Sequence, residues 1–278
     1  MRFGICNEIF QGWTTESVLE YCAKIGYDGV EIAPFTLART VGEISAQQRR
    51  QLREAAARTG VAICGLHWLL AKTEGLYLNH HDAAVRERTS RYLCALVDCC
   101  ADLGGKILVL GSPQQRNVLS DLTAQQAWDL AAQTLSGAVQ RAEAHGLTIC
   151  FEPLSPAETN FINTAAEAIR FAQQFNSAGM KIILDVKAMC SESEPIPQII
   201  RQSWPHFAHF HANDKNLKGP GFGEIDFGPI AAALGEVGYE GWVSVEVFKF
   251  EEGPEAIACG SLECLQRAFG PRKSGGPA

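Results

Sequence analysis

The chain has 278 residues, of which 46% are apolar and 20% charged, with a formal net charge of −7. This is the composition of a folded globular protein and excludes an extended disordered chain. The acid excess, with no block of Lys and Arg, gives no electrostatic ground for a nucleic-acid partner, and no window approaches the ~20 apolar residues of a membrane span.

The N-terminal segment MRFGICNEIFQGW places polar Asn7, Glu8 and Gln11 where a signal peptide needs an apolar core. Ten cysteines are scattered through apolar stretches with no C-x-x-C pair. They are expected as buried, reduced thiols in a cytoplasmic protein, not as a zinc site or a disulfide framework.

In chain order, short runs rich in Ile, Val, Phe and Leu alternate with longer helical runs. Strands are expected at residues 2–10, 27–33, 61–69, 106–111, 148–153, 181–186, 207–213 and 242–248. Thr14 or Thr15 can cap a first helix closing at Gly26, and Ser45 a second ending at Gly60. Further helices are expected at 80–103, 123–145, from Asn163 to about 175, 197–204, 227–237 and 254–269.

Eight strands alternating with eight helices is the arithmetic of an α/β protein with a single (β/α)₈ barrel, for which ~250 residues is typical. A doubly wound sheet would carry a G-x-G-x-x-G turn after its first strand. Here Asn7-Glu8 follows instead, and Gly219, Gly221 and Gly223 read as a flexible loop. No linker divides the chain: residues 1–269 are expected as one barrel and 270–278 (GPRKSGGPA) as a flexible tail.

In such a barrel the C-terminal ends of the strands carry the chemistry. Four successive strands end in an otherwise apolar run broken by one ionisable residue: Glu152, Asp185, His211 and Glu246, spaced 33, 26 and 35 residues apart. An unpaired carboxylate there is costly and should be neutralised, paired or bound to metal. Three carboxylates and one imidazole suit one divalent ion: Mn²⁺ first, with Mg²⁺, Co²⁺ or Zn²⁺ as alternatives. His209 shares a strand face with His211 and is expected to support it.

Other polar residues fall near the same mouth. Glu8 and Trp13 follow strand one, and His67 ends strand three. Arg116 follows strand four, Lys215 strand seven and Lys249 strand eight. Glu8 and His67 can contact a substrate and Trp13 can stack on one, while Arg116, Lys215 and Lys249 can recognise a carboxylate or phosphate.

The segments CNEIFQGW (6–13), GSPQQRN (111–117), FEPLSPAETNFINTAAEA (151–168), ILDVKAM (183–189), HFHANDKN (209–216), GPGFGEIDF (219–227) and VSVEVF (243–248) carry a family resemblance. The chain resembles the sugar phosphate isomerase/epimerase superfamily of xylose-isomerase-like barrels, nearest to its D-tagatose/D-psicose 3-epimerase group. The resemblance implies that Glu152, Asp185, His211 and Glu246 bind the ion, that Glu152 and Glu246 double as the acid/base pair, and that Glu158 lies near the reacting end of the substrate. It also implies a carbohydrate substrate and a possible homo-oligomer, dimer or tetramer. Two family residues are missing: the His expected three residues after the metal Asp is Ala188, and the Arg expected six after the metal His is Leu217.

The chemistry follows from the donor set. A divalent ion chelated by a carbonyl and a neighbouring hydroxyl acidifies the adjacent C–H, and a carboxylate removes the proton to give a metal-stabilised enediolate. Reprotonation on the opposite face is epimerisation, and on the next carbon isomerisation. Loss of a β-leaving group makes a lyase, a dehydratase or keto-sugar deglycosidase. The expected function is a metal-dependent isomerase or epimerase acting on a sugar, as the resemblance implies, or on a small hydroxy-carbonyl compound, with a lyase as the alternative. A non-catalytic partner subunit and an AP-endonuclease-like repair protein rank below these.

Overall fold

The computed structural model of the chain describes residues 1–270, so the expected tail lies, from residue 271 on, outside the described residues. Eight strands are present: β1 Arg2–Cys6, β2 Gly29–Ile32, β3 Ala62–Leu66, β4 Ile107–Leu110, β5 Thr148–Phe151, β6 Met180–Asp185, β7 Phe207–Ala212 and β8 Trp242–Val245. They close into a barrel in sequence order, with every neighbouring pair parallel and β8 pairing with β1. The helices are α1 Thr15–Ile25, α2 Ala46–Thr59, α3 Ala83–Leu103, α4 Ala124–Ala144, α5 Ala165–Gln173, α6 Val186–Met189, α7 Ile196–Ser203, α8 Phe227–Glu236 and α9 Pro254–Phe269. The fold is a single (β/α)₈ barrel.

The helix boundaries follow their caps. Thr14, Ser45, Asp82, Thr123 and Thr164 each accept a backbone N–H of the first turn of α1 to α5. The expected start of α3 at residue 80 moves to Ala83 because Asp82 is the capping side chain. Asn163 does not cap α5; its amide instead donates to the Leu154 and Thr159 carbonyls. The extra helix α6 exists because Asp185 accepts the Ala188 N–H and turns the end of β6 into a helix. Strand one stops at Cys6, where Asn7–Ile9 tightens into a 3₁₀ turn.

A small apolar cluster inside the barrel contains Val109, Cys150 and Ile183. Two residues on along each strand, on the same face, stand Gly111, Glu152 and Asp185. The polar mouth is thus the layer directly above an apolar plug. The larger core lies between strands and helices. Among the described residues no helix is long and apolar enough to cross a membrane, and all ten cysteines are free.

Candidate metal and catalytic site

Asp185 and His211 are paired across β6 and β7, and His211 pairs in turn with Ser244 of β8. Glu152 and Glu246 stand one residue past β5 and β8. Their backbone N–H groups continue the ladder to the carbonyls of Leu110 and Ala212, so both remain pinned to the barrel rim. Each of the four offers one ligand atom, and these atoms lie within 4.8 Å of one another, all on buried residues. A Cβ at position 111 would collide with the Glu152 carboxylate, so Gly111 leaves the room that Glu152 occupies.

The electrostatics of the four are uneven. Burial, with the Glu246 and Asp185 carboxylates nearby, pushes Glu152 up to about 8. Burial acts on Glu246 too, but the His211 imidazole outweighs it and brings the carboxyl down to about 2. Burial raises Asp185 while Lys187 pulls against it. Two hydrogen bonds orient the Asp185 carboxylate: Ala188 N–H at 2.7 Å and the Asn213 amide at 2.5 Å. Crowded, dehydrated carboxylates of this kind fit a bound divalent cation, and oxygen-rich donors with one imidazole suit Mn²⁺, Mg²⁺ or Co²⁺ better than a thiolate-seeking metal.

Sequence reasoning missed Glu31. It lies on β2, fully buried, beside a register shift between Val30 and Glu31 that locally re-aims the strand. Its Oε2 lies 2.9 Å from His209 Nε2 and 3.2 Å from His211 Nε2. Burial alone would raise this carboxyl, but the two imidazoles hold it well below the usual carboxylate range. With Glu31 facing Nε2, the Nδ1 of His211 faces the cluster, 3.1 Å from Glu246 Oε2. Burial alone would lower His211, but Glu246 and Glu31 on its two nitrogens hold it well above the ordinary imidazole range; a carboxylate placed like Glu31 would orient an imidazole that ligates metal. A carboxylate among the apolar residues 29–33 was the available signal, similar to the one that marked the other four strands, with Asp28 three residues before it to blur it.

Trp68 closes the site from the β3 side. Its backbone is left-handed, with φ +53°, an uncommon conformation for a bulky residue. Its indole N–H donates to Glu246 Oε1 at 2.8 Å. A narrow cleft is lined by Trp68, Glu152, Glu158, Lys187, Glu246 and Phe248, among others. A wider groove adjoins it across Trp68 and Phe248 and includes Glu8 and the 36%-exposed Trp13.

The other expected contacts divide. Glu158 lines the cleft. His67 is fully buried, with Nε2 2.7 Å from Glu8 Oε2. Its Nδ1 and the Glu8 Oε1 are buried without a partner. The expectation that Arg116 meets a substrate anion is corrected: it is 1% exposed. Its guanidinium lies over the Phe151 ring and donates to the carbonyls of Glu152, at 2.7 Å, and Ile162. It thereby supports the backbone beneath Glu152. Lys215 and Lys249 are exposed and do not line the cleft. The cation in the cleft is Lys187, which no strand-end pattern predicts.

At the two positions where family residues are missing, Ala188 is buried in α6. Leu217 is left-handed, with φ +74°, and its carbonyl accepts the Phe248 and Lys249 N–H groups. Position 217 thus anchors the loop that carries Phe248.

Residues 19–268 match the family described as "Xylose isomerase-like TIM barrel". Over 232 residues the chain is 28% identical to a D-psicose 3-epimerase of Ruminiclostridium cellulolyticum, covering 83% of this chain and 77% of that protein. It is 26% identical over 280 residues to a 3-dehydro-D-guloside 4-epimerase of Escherichia coli, covering 96% of this chain and 99% of the other. A crystal structure of D-psicose 3-epimerase with D-tagatose, from Clostridium cellulolyticum H10, superposes with a TM-score of 0.83 at 22% identity. It covers 97% of this chain and 99% of its own.

Proposed function

We propose, from the premise that the chain belongs to the xylose isomerase-like TIM barrel family, that it is a divalent-metal-dependent epimerase or isomerase of a keto-sugar. The observation that carries this reading is the buried set Glu152, Asp185, His211 and Glu246, delivered by four successive strands with ligand atoms within 4.8 Å. The named sugar epimerases that the chain resembles over most of its length support the substrate class.

These four residues would hold the ion, with Mn²⁺ as the favoured metal. A divalent cation bound there supplies the positive charge that acidifies a C–H next to a carbonyl and stabilises the resulting enediolate. The chain's own residues do the rest. Glu246, held as a carboxylate by His211 and fixed by the Trp68 indole, accepts the proton. Glu152 is the second carboxyl of the pair: the proton it holds at rest gives way to the ion, and it returns one after taking it up again from a substrate hydroxyl or solvent. Trp68 and Phe248 cover the cleft and limit the water that would otherwise intercept the intermediate.

The test is turnover of D-psicose, D-tagatose, L-ribulose and a 3-keto-glycoside in deuterium oxide. The expected result is solvent deuterium at the carbon beside the carbonyl in the epimerised or isomerised sugar. Release of water or an aglycone would identify a lyase instead. Turnover without deuterium uptake would remove proton abstraction from the account.

A further inference from the structure

The cleft-lining residues include four ionisable side chains: Glu152, Glu158, Glu246 and Lys187. Lys187 is not a loose surface lysine; its side chain is 9% exposed and that of Glu158 is 28% exposed. Its backbone N–H donates to Asn213 Oδ1 at 2.7 Å, the same Asn213 that holds Asp185. Its Nζ lies 2.6 Å from Glu158 Oε1 and 4.2 Å from the centre of the Phe248 ring. An aromatic face and a carboxylate together fix a cation in one place.

The pair is incompletely used. An ammonium has three N–H donors, and Glu158 Oε1 takes one. The other Glu158 oxygen accepts from Ser155, through its hydroxyl at 2.7 Å and its N–H at 3.3 Å, and a carboxylate has about four lone-pair sites. What faces the cleft is therefore a donor and an acceptor held side by side. Adjacent hydroxyls of a sugar offer the complement, since each is both donor and acceptor. A carboxylate or phosphate on the substrate is the wrong partner: the charge on Lys187 is already met by Glu158, and the Glu152 and Glu246 carboxylates line the same cleft.

We propose that Lys187 is a specificity-determining residue of this site, which with Glu158 grips adjacent hydroxyl groups of a neutral keto-sugar. It comes from the same turn as Ala188, the position at which the family's His is missing. This rests on the keto-sugar reading above, and it replaces the expectation that cations at the mouth recognise a carboxylate or phosphate.

The experiment is equilibrium titration of the Mn²⁺-loaded protein with D-psicose, D-tagatose and L-ribulose, read by tryptophan fluorescence because Trp68 lines the cleft. Deoxy analogues of the tightest binder, each lacking one hydroxyl, follow. Wild-type protein should bind at least one analogue about tenfold more weakly than its parent. Lys187→Met should bind the parent about tenfold more weakly and lose that discrimination, with KM rising more than kcat falls. Lys187→Gln keeps an N–H donor and should keep part of the discrimination, which also covers a Met variant that does not fold. A role confined to charge balance or folding would leave the analogue penalties as they are.

The proposal is overturned if both variants keep every analogue penalty, if no neutral ketose binds, or if a keto-uronate binds wild type more tightly than the neutral ketoses. Loss of discrimination without any epimerisation would uphold the Lys187 assignment and overturn the proposed reaction. Epimerisation with all penalties retained in the variants would do the reverse.

Discussion

Strands β5 to β8 each deliver one group to the buried cluster, whereas β1 to β4 deliver none of the four, and residues of β2 and of the segments after β3 and β4 hold them in place. From β2, Glu31 meets the Nε2 of both His209 and His211. The indole of Trp68, just past β3, meets Glu246. After β4, Gly111 leaves space for Glu152, and Arg116 supports the Glu152 carbonyl. On the proposed reading the second half of the barrel supplies the reacting groups, and the first half supplies orientation and room. An imidazole or carboxylate placed without such support would be loose by enough to matter, because catalytic geometry tolerates little displacement.

That division can be broken from either side, with effects of different size. Removing a charge in the second half should cost most. Glu246→Gln should lower turnover about 10³-fold, in the range of a lost general base; unchanged turnover would take Glu246 out of the chemistry. Removing a support in the first half should cost less and act through the ion. Glu31→Gln should weaken Mn²⁺ binding by about 10- to 100-fold, measured by calorimetry, with activity recovering at excess Mn²⁺. Loss of turnover with unaltered Mn²⁺ affinity would mean that Glu31 does not act through His211.

The smallest effect is one of pH. Without a cation, Glu152 is raised to about 8 and holds its proton at neutral pH, so an incoming ion must displace it. His211, held protonated by Glu246 and Glu31 against the effect of burial, must release a proton as well. Affinity should therefore climb as pH rises from 6 toward 8, by at most about tenfold per unit for each proton released. Binding that is flat over this interval would show that Glu152 is ionised throughout.

The same two halves explain what could be read from the sequence. Glu152, Asp185, His211 and Glu246 each interrupt an apolar strand end, and their regular spacing follows from one βα unit per ligand. The alternation of strands and helices made the barrel legible by the same logic. The support from β2 and from the end of β3 spans the barrel: Glu31 and His211 are 180 residues apart, and Trp68 and Glu246 are 178 apart. No local pattern encodes such a contact. Arg116 shows the complementary limit. A loop arginine reads as solvated, yet here it is buried because two backbone carbonyls and the Phe151 ring compensate its charge. Lys187 escaped notice because α6 itself was unexpected, being formed only once Asp185 caps it.

The central claim is that the group from each of β5 to β8 serves one divalent ion on which the reaction depends. The direct measurement is to strip the protein with EDTA, verify the metal content by elemental analysis, and add back Mn²⁺ while following turnover of a ketose. The account predicts no turnover in the stripped protein and full recovery at one ion per chain. Undiminished turnover with no metal detected would contradict it.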